Sequence, residues 1–366
     1  MAQPGESAGA NKMAVPVGGA VFLNILQAPS EETLDFLYNA HDAVSCSGLP
    51  EPDDIVGWSR LQERVERYAL PESDQLVERL SPAIAGFSLG GVPVLDVRPR
   101  YWNQEKKVAI YMHDGGFMLY SAASTLGRAA LVADDTALRV ISVDYTLAPV
   151  STFDEITDQV VAVVRTISTQ GYKLEDILML GDGSGAGLAI AAILKARNLG
   201  LGLPAAAVLI SPYIDLSSAD DSDYTPHSVI SSSLNASFTG EMNLLKDLRR
   251  RGHAHSIPIY ADFFKGFPST LIQGSAQGPW LNDFVRLYHV LDIAGVRVRL
   301  DLYENMPHGF QFRTPDAPEA QRARQQLREF AHFRLAGGER PDLSDKAVRR
   351  RHKIQKLHKK NPGRTA

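Results

Sequence analysis

Three short segments hold the residue types that can do chemistry. His113-Asp114-Gly115-Gly116-Phe117 follows an apolar run, Gly181-Asp182-Gly183-Ser184-Gly185-Ala186-Gly187 joins an apolar run to a helical one, and Met306-Pro307-His308-Gly309-Phe310 follows the last apolar run. A histidine can move a proton near neutral pH. A serine hydroxyl becomes a nucleophile when a base takes its proton. Glycine-dense turns let backbone N–H groups come close to a ligand, because no Cβ stands in the way. The single cysteine, Cys46, has no cysteine to pair with and no partner for a metal site, so neither a disulfide nor a metal is expected, and no cofactor.

Such residues must be positioned by regular elements, and the apolar spacing supplies them. Short β-rich runs at Val92–Val97 and Val108–Tyr111 are followed by a strict alternation: strand Val140–Val143, helix Asp154–Thr169, strand Ile177–Leu180, helix Ala186–Asn198 and strand Ala206–Ile210. Strand Thr270–Gln273, helix Asn282–Ile293, strand Arg297–Leu302 and helix Pro318–Phe333 complete it. Alternation of this kind predicts a mostly parallel central sheet with helices on both faces. Earlier, helical spacing in Leu34, Phe36, Leu37 and Ala40, and in Val65, Tyr68, Leu76, Val77 and Leu80, predicts a helical cap over 19–84. Residues 1–18, rich in Gly, Ala and Pro, are expected to be mobile. The α/β body spans 85–336, with a polar, Ser-rich excursion over 215–255 that would lie above the sheet.

The chain has 366 residues, 44% of them hydrophobic, enough to bury a large core. No run of eighteen apolar residues and no secretory signal are found, and with the lone cysteine this makes the cytoplasm the expected compartment. Charge is unevenly placed: residues 341–366 hold nine Lys and Arg against two Asp, whereas residues 1–340 hold 29 basic and 40 acidic residues. An acidic body argues against nucleic-acid binding by the folded part. The basic tail, 337–366, reads as a solvated, disordered segment able to touch an anionic partner. Composition leaves a homodimer open.

In order and spacing the three segments resemble the oxyanion loop, nucleophile elbow and catalytic-histidine loop of the hormone-sensitive-lipase family of carboxylesterases. Val143-Asp144-Tyr145-Thr146-Leu147-Ala148-Pro149 and Ser211-Pro212-Tyr213 are similar to other signature stretches of that family. The resemblance covers roughly residues 85–335 and implies the α/β-hydrolase fold. In that family a serine on a tight strand-to-helix turn attacks an ester, a histidine takes its proton, and a carboxylate orients the histidine.

The resemblance assigns His308 as the histidine and Gly115 and Gly116, with the N–H of Ser184, as the oxyanion donors. It also exposes departures. Gly183 stands where the family has serine, and Gly278, in Ala276-Gln277-Gly278-Pro279-Trp280-Leu281, stands where it has the acid. Asp114 replaces the first glycine of the oxyanion loop, and a carboxylate facing a developing oxyanion would oppose hydrolysis. Ser184 is an alternative nucleophile, but one residue along a helix start turns its side chain by about 100°, and capping of the helix is its expected role. Asp283 and Asp301 lie near the missing acid in sequence, out of register, and are expected to be solvated.

Together these readings imply an impaired esterase-like protein with a binding or regulatory role. Its ligand would be an apolar or ester-like small molecule lined by Asp114, Phe117, Met118 and Tyr120, with Leu119 between them. The alternative is an active hydrolase using Ser184, or a non-covalent catalyst using His308. Gly183→Ser with Gly278→Glu is expected to rebuild the missing triad, with Asp114→Gly as a further aid.

Overall fold

Apolar runs such as Val108–Met112 and Ala206–Ile210 have no polar face, so a stable fold must cover them on both sides. The computed structural model describes residues 14–17, 19–24, 29–39, 50–51, 53–103, 106–214, 261–278 and 280–337. Within these the strands are β1 Ala14–Val17, β2 Gly19–Asn24, β3 Ala83–Leu89, β4 Val92–Arg98, β5 Val108–Met112, β6 Arg139–Val143, β7 Ile177–Asp182, β8 Ala206–Ile210, β9 Ser269–Ser275 and β10 Val298–Tyr303. The helices are α1 Glu31–Asn39, α2 Ile55–Leu80, α3 Leu126–Thr136, α4 Phe153–Thr169, α5 Ser184–Asn198, α6 Leu281–Ile293, α7 Phe310–Arg313 and α8 Pro318–Leu335.

The strands form one sheet in the order β1-β2-β10-β9-β8-β7-β5-β6-β4-β3. Pairing is parallel from β2 through β10, β9, β8, β7 and β5 to β6. It is antiparallel for β1 with β2 and for β4 with both β3 and β6. Period-2 alternation sends Val108, Ile110 and Met112 of β5 to one core and Ala109 and Tyr111 to the other. The first core is covered by Ile156, Val160 and Val163 of α4, Leu188 and Ile193 of α5, and Phe284 and Leu287 of α6. Ala129, Ala130 and Ala133 of α3 and Leu327, Phe330 and Ala331 of α8 cover the second.

The mostly parallel, doubly covered sheet is the architecture the alternation predicts. The first ninety residues differ. β1 and β2 join the sheet beside β10, so residues 14–17 are a strand rather than part of a loose end, and 19–24 are sheet rather than cap. β3, α3 and α7 are additional, and the basic tail, Cys46 and the 215–255 excursion lie outside the described residues. Among the described residues no helix is long and apolar enough to cross a membrane, and no group of His, Cys, Asp and Glu is arranged to hold a metal ion.

Candidate active site

Parallel pairing puts the ends of β5, β7, β8, β9 and β10 on one edge of the sheet, and the three glycine- and histidine-bearing segments leave from that edge. β5 and β7 are direct neighbours, so Asp114, two residues past β5, sits beside Gly183, one residue past β7. His308 returns to the same place from β10, three strands away from β7. Ser211, past β8, spans the gap: its hydroxyl accepts the Gly309 N–H at 3.2 Å, and the Tyr213 N–H donates to the Gly183 carbonyl at 3.0 Å.

The turn from β7 into α5 needs its glycines for space and for backbone angle. Gly183 has φ 53° and ψ −122°, a conformation costly to any residue with a Cβ. A Cβ at Gly181 would strike the Gly185 carbonyl, and one at Gly185 would strike the carbonyls of Met112 and His113. Beneath the turn, buried Asp182 accepts from the Tyr111 hydroxyl and the Arg128 guanidinium, each at 2.7 Å. Burial works to lower the Arg128 pKa, but Asp182 and the neighbouring Tyr111 outweigh it and raise it further above its ordinary value.

The oxyanion-loop segment is held as firmly. Gly115 and Gly116 have φ 125° and 61°, and a Cβ at Gly115 would overlap the Leu119 carbonyl. The Tyr145 ring stacks on His113 at 4.3 Å, and its hydroxyl donates to the His113 carbonyl at 2.8 Å. His113 Nδ1 donates to the Asp114 carbonyl at 2.6 Å, and burial pushes its imidazole pKa down from 6.5. From α2, Gln62 donates to the Met118 carbonyl at 2.9 Å, and Glu66 accepts from the hydroxyls of Ser121 and Ser124, each at 2.8 Å.

Asp114 is the centre of the arrangement. Its side chain is buried, and Oδ1 accepts from the Ser184 N–H at 2.9 Å and from the Ser184 hydroxyl at 3.1 Å. Oδ2 lies 3.2 Å from Nε2 of buried His308. Burial would raise this carboxyl's pKa. The hydrogen bond and charge of His308 and the N–H groups of Ser184 and Gly115 outweigh it and hold the carboxyl well below the usual carboxylate range. An ionised carboxylate only accepts, so the proton of the His308 contact is on Nε2.

Gly183 and Asp114 fit each other closely. A Cβ at Gly183 would fall on Asp114 Cγ and both carboxylate oxygens. The side chain from β5 thus fills the space that a side chain at 183 would need. Sequence reading placed Asp114 in the oxyanion loop without this reciprocity, which depends on the β5–β7 register and is not visible along the chain.

The remaining expected residues divide. His308, Asp114, Ser184, Gly115 and Gly183 come together. Ser184 begins α5, but its hydroxyl is turned to Asp114 instead of capping the helix, and the Asp114 carboxylate takes the Ser184 N–H. Gly278 is buried in the loop between β9 and α6, where a Cβ would meet Ser275 Cβ at 3.3 Å. Asp283 and Asp301 are buried, contrary to the solvated role expected of them. Asp283 accepts the Ile214 N–H at 3.1 Å, and Asp301 accepts from Arg299 at 2.7 Å. Of the predicted lining, Phe117, Met118 and Leu119 pack in the hydrophobic core, with Phe117 edge-on to Phe153 at 5.2 Å, and Tyr120 packs against that core. Tyr145, Arg128, Asp182, Gln62 and Glu66 were not singled out as supports. Tyr145 and Asp182 had a signal, their places in the stretch Val143–Pro149 and in the turn Gly181–Gly187.

Residues 109–312, more than half of the chain, match the family described as having the alpha/beta hydrolase fold. The chain belongs to that family. An esterase of Acinetobacter venetianus is 31% identical over 226 residues, which are 62% of this chain and 74% of that protein. An acetyl-hydrolase of Streptomyces hygroscopicus is 27% identical over 281 residues, 76% of this chain and 88% of the relative. A solved esterase from the bacterial hormone-sensitive lipase family superposes with a TM-score of 0.70 at 24% identity, covering 84% of this chain and all of that one, and shows the shared fold. An α/β-hydrolase-fold chain with esterase relatives is thus what the order of the motifs implies.

Proposed function

We propose that this α/β-hydrolase-fold chain is an esterase-like protein impaired in covalent ester hydrolysis, with a binding or regulatory role toward an apolar or ester-like small molecule. The observation that carries the reading is the Asp114 carboxylate lying in the space above Gly183. It has two chemical consequences. No hydroxyl projects from the turn to form an acyl-enzyme, and the Nε2 of His308, which would have to accept a nucleophile's proton, already carries one in its bond to Asp114. The names of the relatives, esterase and acetyl-hydrolase, support an acyl-bearing ligand class. Hydrolysis through Ser184 finds less support. Its hydroxyl faces Asp114, and a carboxylate with a depressed pKa is a poor base for a serine proton.

Covalent labelling tests the proposal. The expected result is no adduct with a fluorophosphonate and no burst of nitrophenol from p-nitrophenyl acetate. A stoichiometric adduct on Ser184 would overturn it.

A further inference from the structure

Everything that holds the Asp114 carboxylate is a group that would hold a free carboxylate equally well. A main-chain N–H at the start of a fifteen-residue helix and a serine hydroxyl meet one oxygen. A buried imidazole meets the other. The helix start favours negative charge there, and His308 and Ser184 are both more than nine-tenths buried, so their bonds to an anion are not weakened by competing water. The carboxylate is tethered by only one carbon to a main chain that is fixed independently of it, by the Tyr145–His113 contacts and by the Met118 and Leu119 N–H groups donating to the Gly115 carbonyl. Ligand and receptor are therefore separable parts of the site.

We infer that Asp114 is a built-in ligand, and that Ser184 and His308 form a monocarboxylate-binding site which the chain keeps closed by filling it from within. The inference deepens the proposed function and rests on its placement of Asp114 over Gly183. It makes the site self-inhibited toward short acyl anions: an external carboxylate must displace a tethered one, whose effective concentration is far higher.

The test is to remove the tether. Asp114→Ala and Asp114→Gly take away the carboxylate. Asp114→Asn keeps a side chain of the same size in the space. Thermal unfolding and calorimetric titration are run with sodium acetate and sodium butyrate, against sodium chloride at equal ionic strength and against acetamide as the neutral analogue. The Ala and Gly variants are expected to gain stability with rising acetate, as a ligand bound only to the folded state requires, with saturation in the millimolar range expected for so few heavy atoms. Chloride and acetamide should do less. The parent and Asp114→Asn should show no acetate-specific shift, and adding His308→Ala to Asp114→Ala should weaken acetate binding at least tenfold. Absence of a saturable acetate effect in a cooperatively folding Ala or Gly variant would overturn the inference. So would an equal effect in the parent, or failure of both variants to fold even in acetate. Fluorophosphonate labelling of the parent, run alongside, reads the hydrolytic question separately: an adduct there would sink the proposed function whether or not the variants bind acetate.

Discussion

The fit between Gly183 and Asp114 can be measured as a coupling energy. In Gly183→Ala the new Cβ meets two penalties. At φ 53° and ψ −122° the backbone strain is about 1–3 kcal/mol. The methyl group also displaces the Asp114 carboxylate, on which it would fall, so charge-assisted bonds to Ser184 and His308 worth about 1.5–3 kcal/mol each are lost or bent. About 4–9 kcal/mol is expected for the single change. Asp114→Gly alone forfeits the same bonds and should cost about 3–6 kcal/mol. With the carboxylate already gone, Gly183→Ala should add only its strain, so the double variant should be more stable than the sum of the singles predicts by about 3–6 kcal/mol. Urea denaturation of the four proteins gives the cycle directly, and additivity within about 0.5 kcal/mol would refute the reciprocal fit. The same overlap bears on building a serine–histidine–carboxylate triad into the turn. Gly183→Ser with Gly278→Glu has no room for its hydroxyl while Asp114 remains, so ester hydrolysis should emerge only when Asp114→Gly is included.

Acid should destabilise the protein through two buried groups. The Asp114 pKa is lowered on folding from 3.8, so its contribution is complete above that value and lost as pH falls toward the folded-state pKa. His113, lowered from 6.5, is complete above pH 6.5 and disfavours the fold progressively below it. Denaturation midpoints should therefore fall from about pH 6.5 downward, and Asp114→Asn should flatten the lowest part of the profile. A pH-independent midpoint between about 3 and 7 would contradict both. Arg128→Ala leaves buried Asp182 without its guanidinium and should cost about 3–5 kcal/mol, whereas Tyr111→Phe removes one hydrogen bond and should cost about 1–2 kcal/mol in the same urea assay. Gln62→Ala with Glu66→Ala should raise amide exchange across 116–125, because both side chains pin that loop to α2. Unchanged exchange would mean that the loop holds itself.

β5, β7 and β8 were legible because Val108–Met112, Ile177–Leu180 and Ala206–Ile210 are short, wholly apolar runs, whereas β10, which leads to His308, was legible from the alternation of apolar and charged residues in Val298–Leu302. β3 was not. Six of its seven residues are exposed and it ends the sheet, so neither continuous apolarity nor alternation marks it. β1 and β2 were hidden by the Gly, Ala and Pro around them, and only pairing with a strand nearly the whole chain away makes them sheet. At the site, His308 and the glycines were readable as local motif. The direction of Asp114 was not, because it is set by a neighbouring strand. Asp283 and Asp301 were misjudged since charge alone argues for solvent, whereas Ile214 and Arg299 supply the partners that allow burial.

The parallel pairing of β2 with β10, with Val21 opposite Leu300, has a consequence for how the chain comes off the ribosome. β2 is made long before its neighbour β10, so the hairpin of residues 14–24 must wait for the intervening body to emerge before its place exists. Ser30 is in the same position, since its N–H and hydroxyl are satisfied by Glu319 of α8 at 2.9 and 2.8 Å. Closing loops of this length is slow. Until it happens, an apolar segment stays available to other nascent chains, and β2 can dock only onto a sheet that already holds β10.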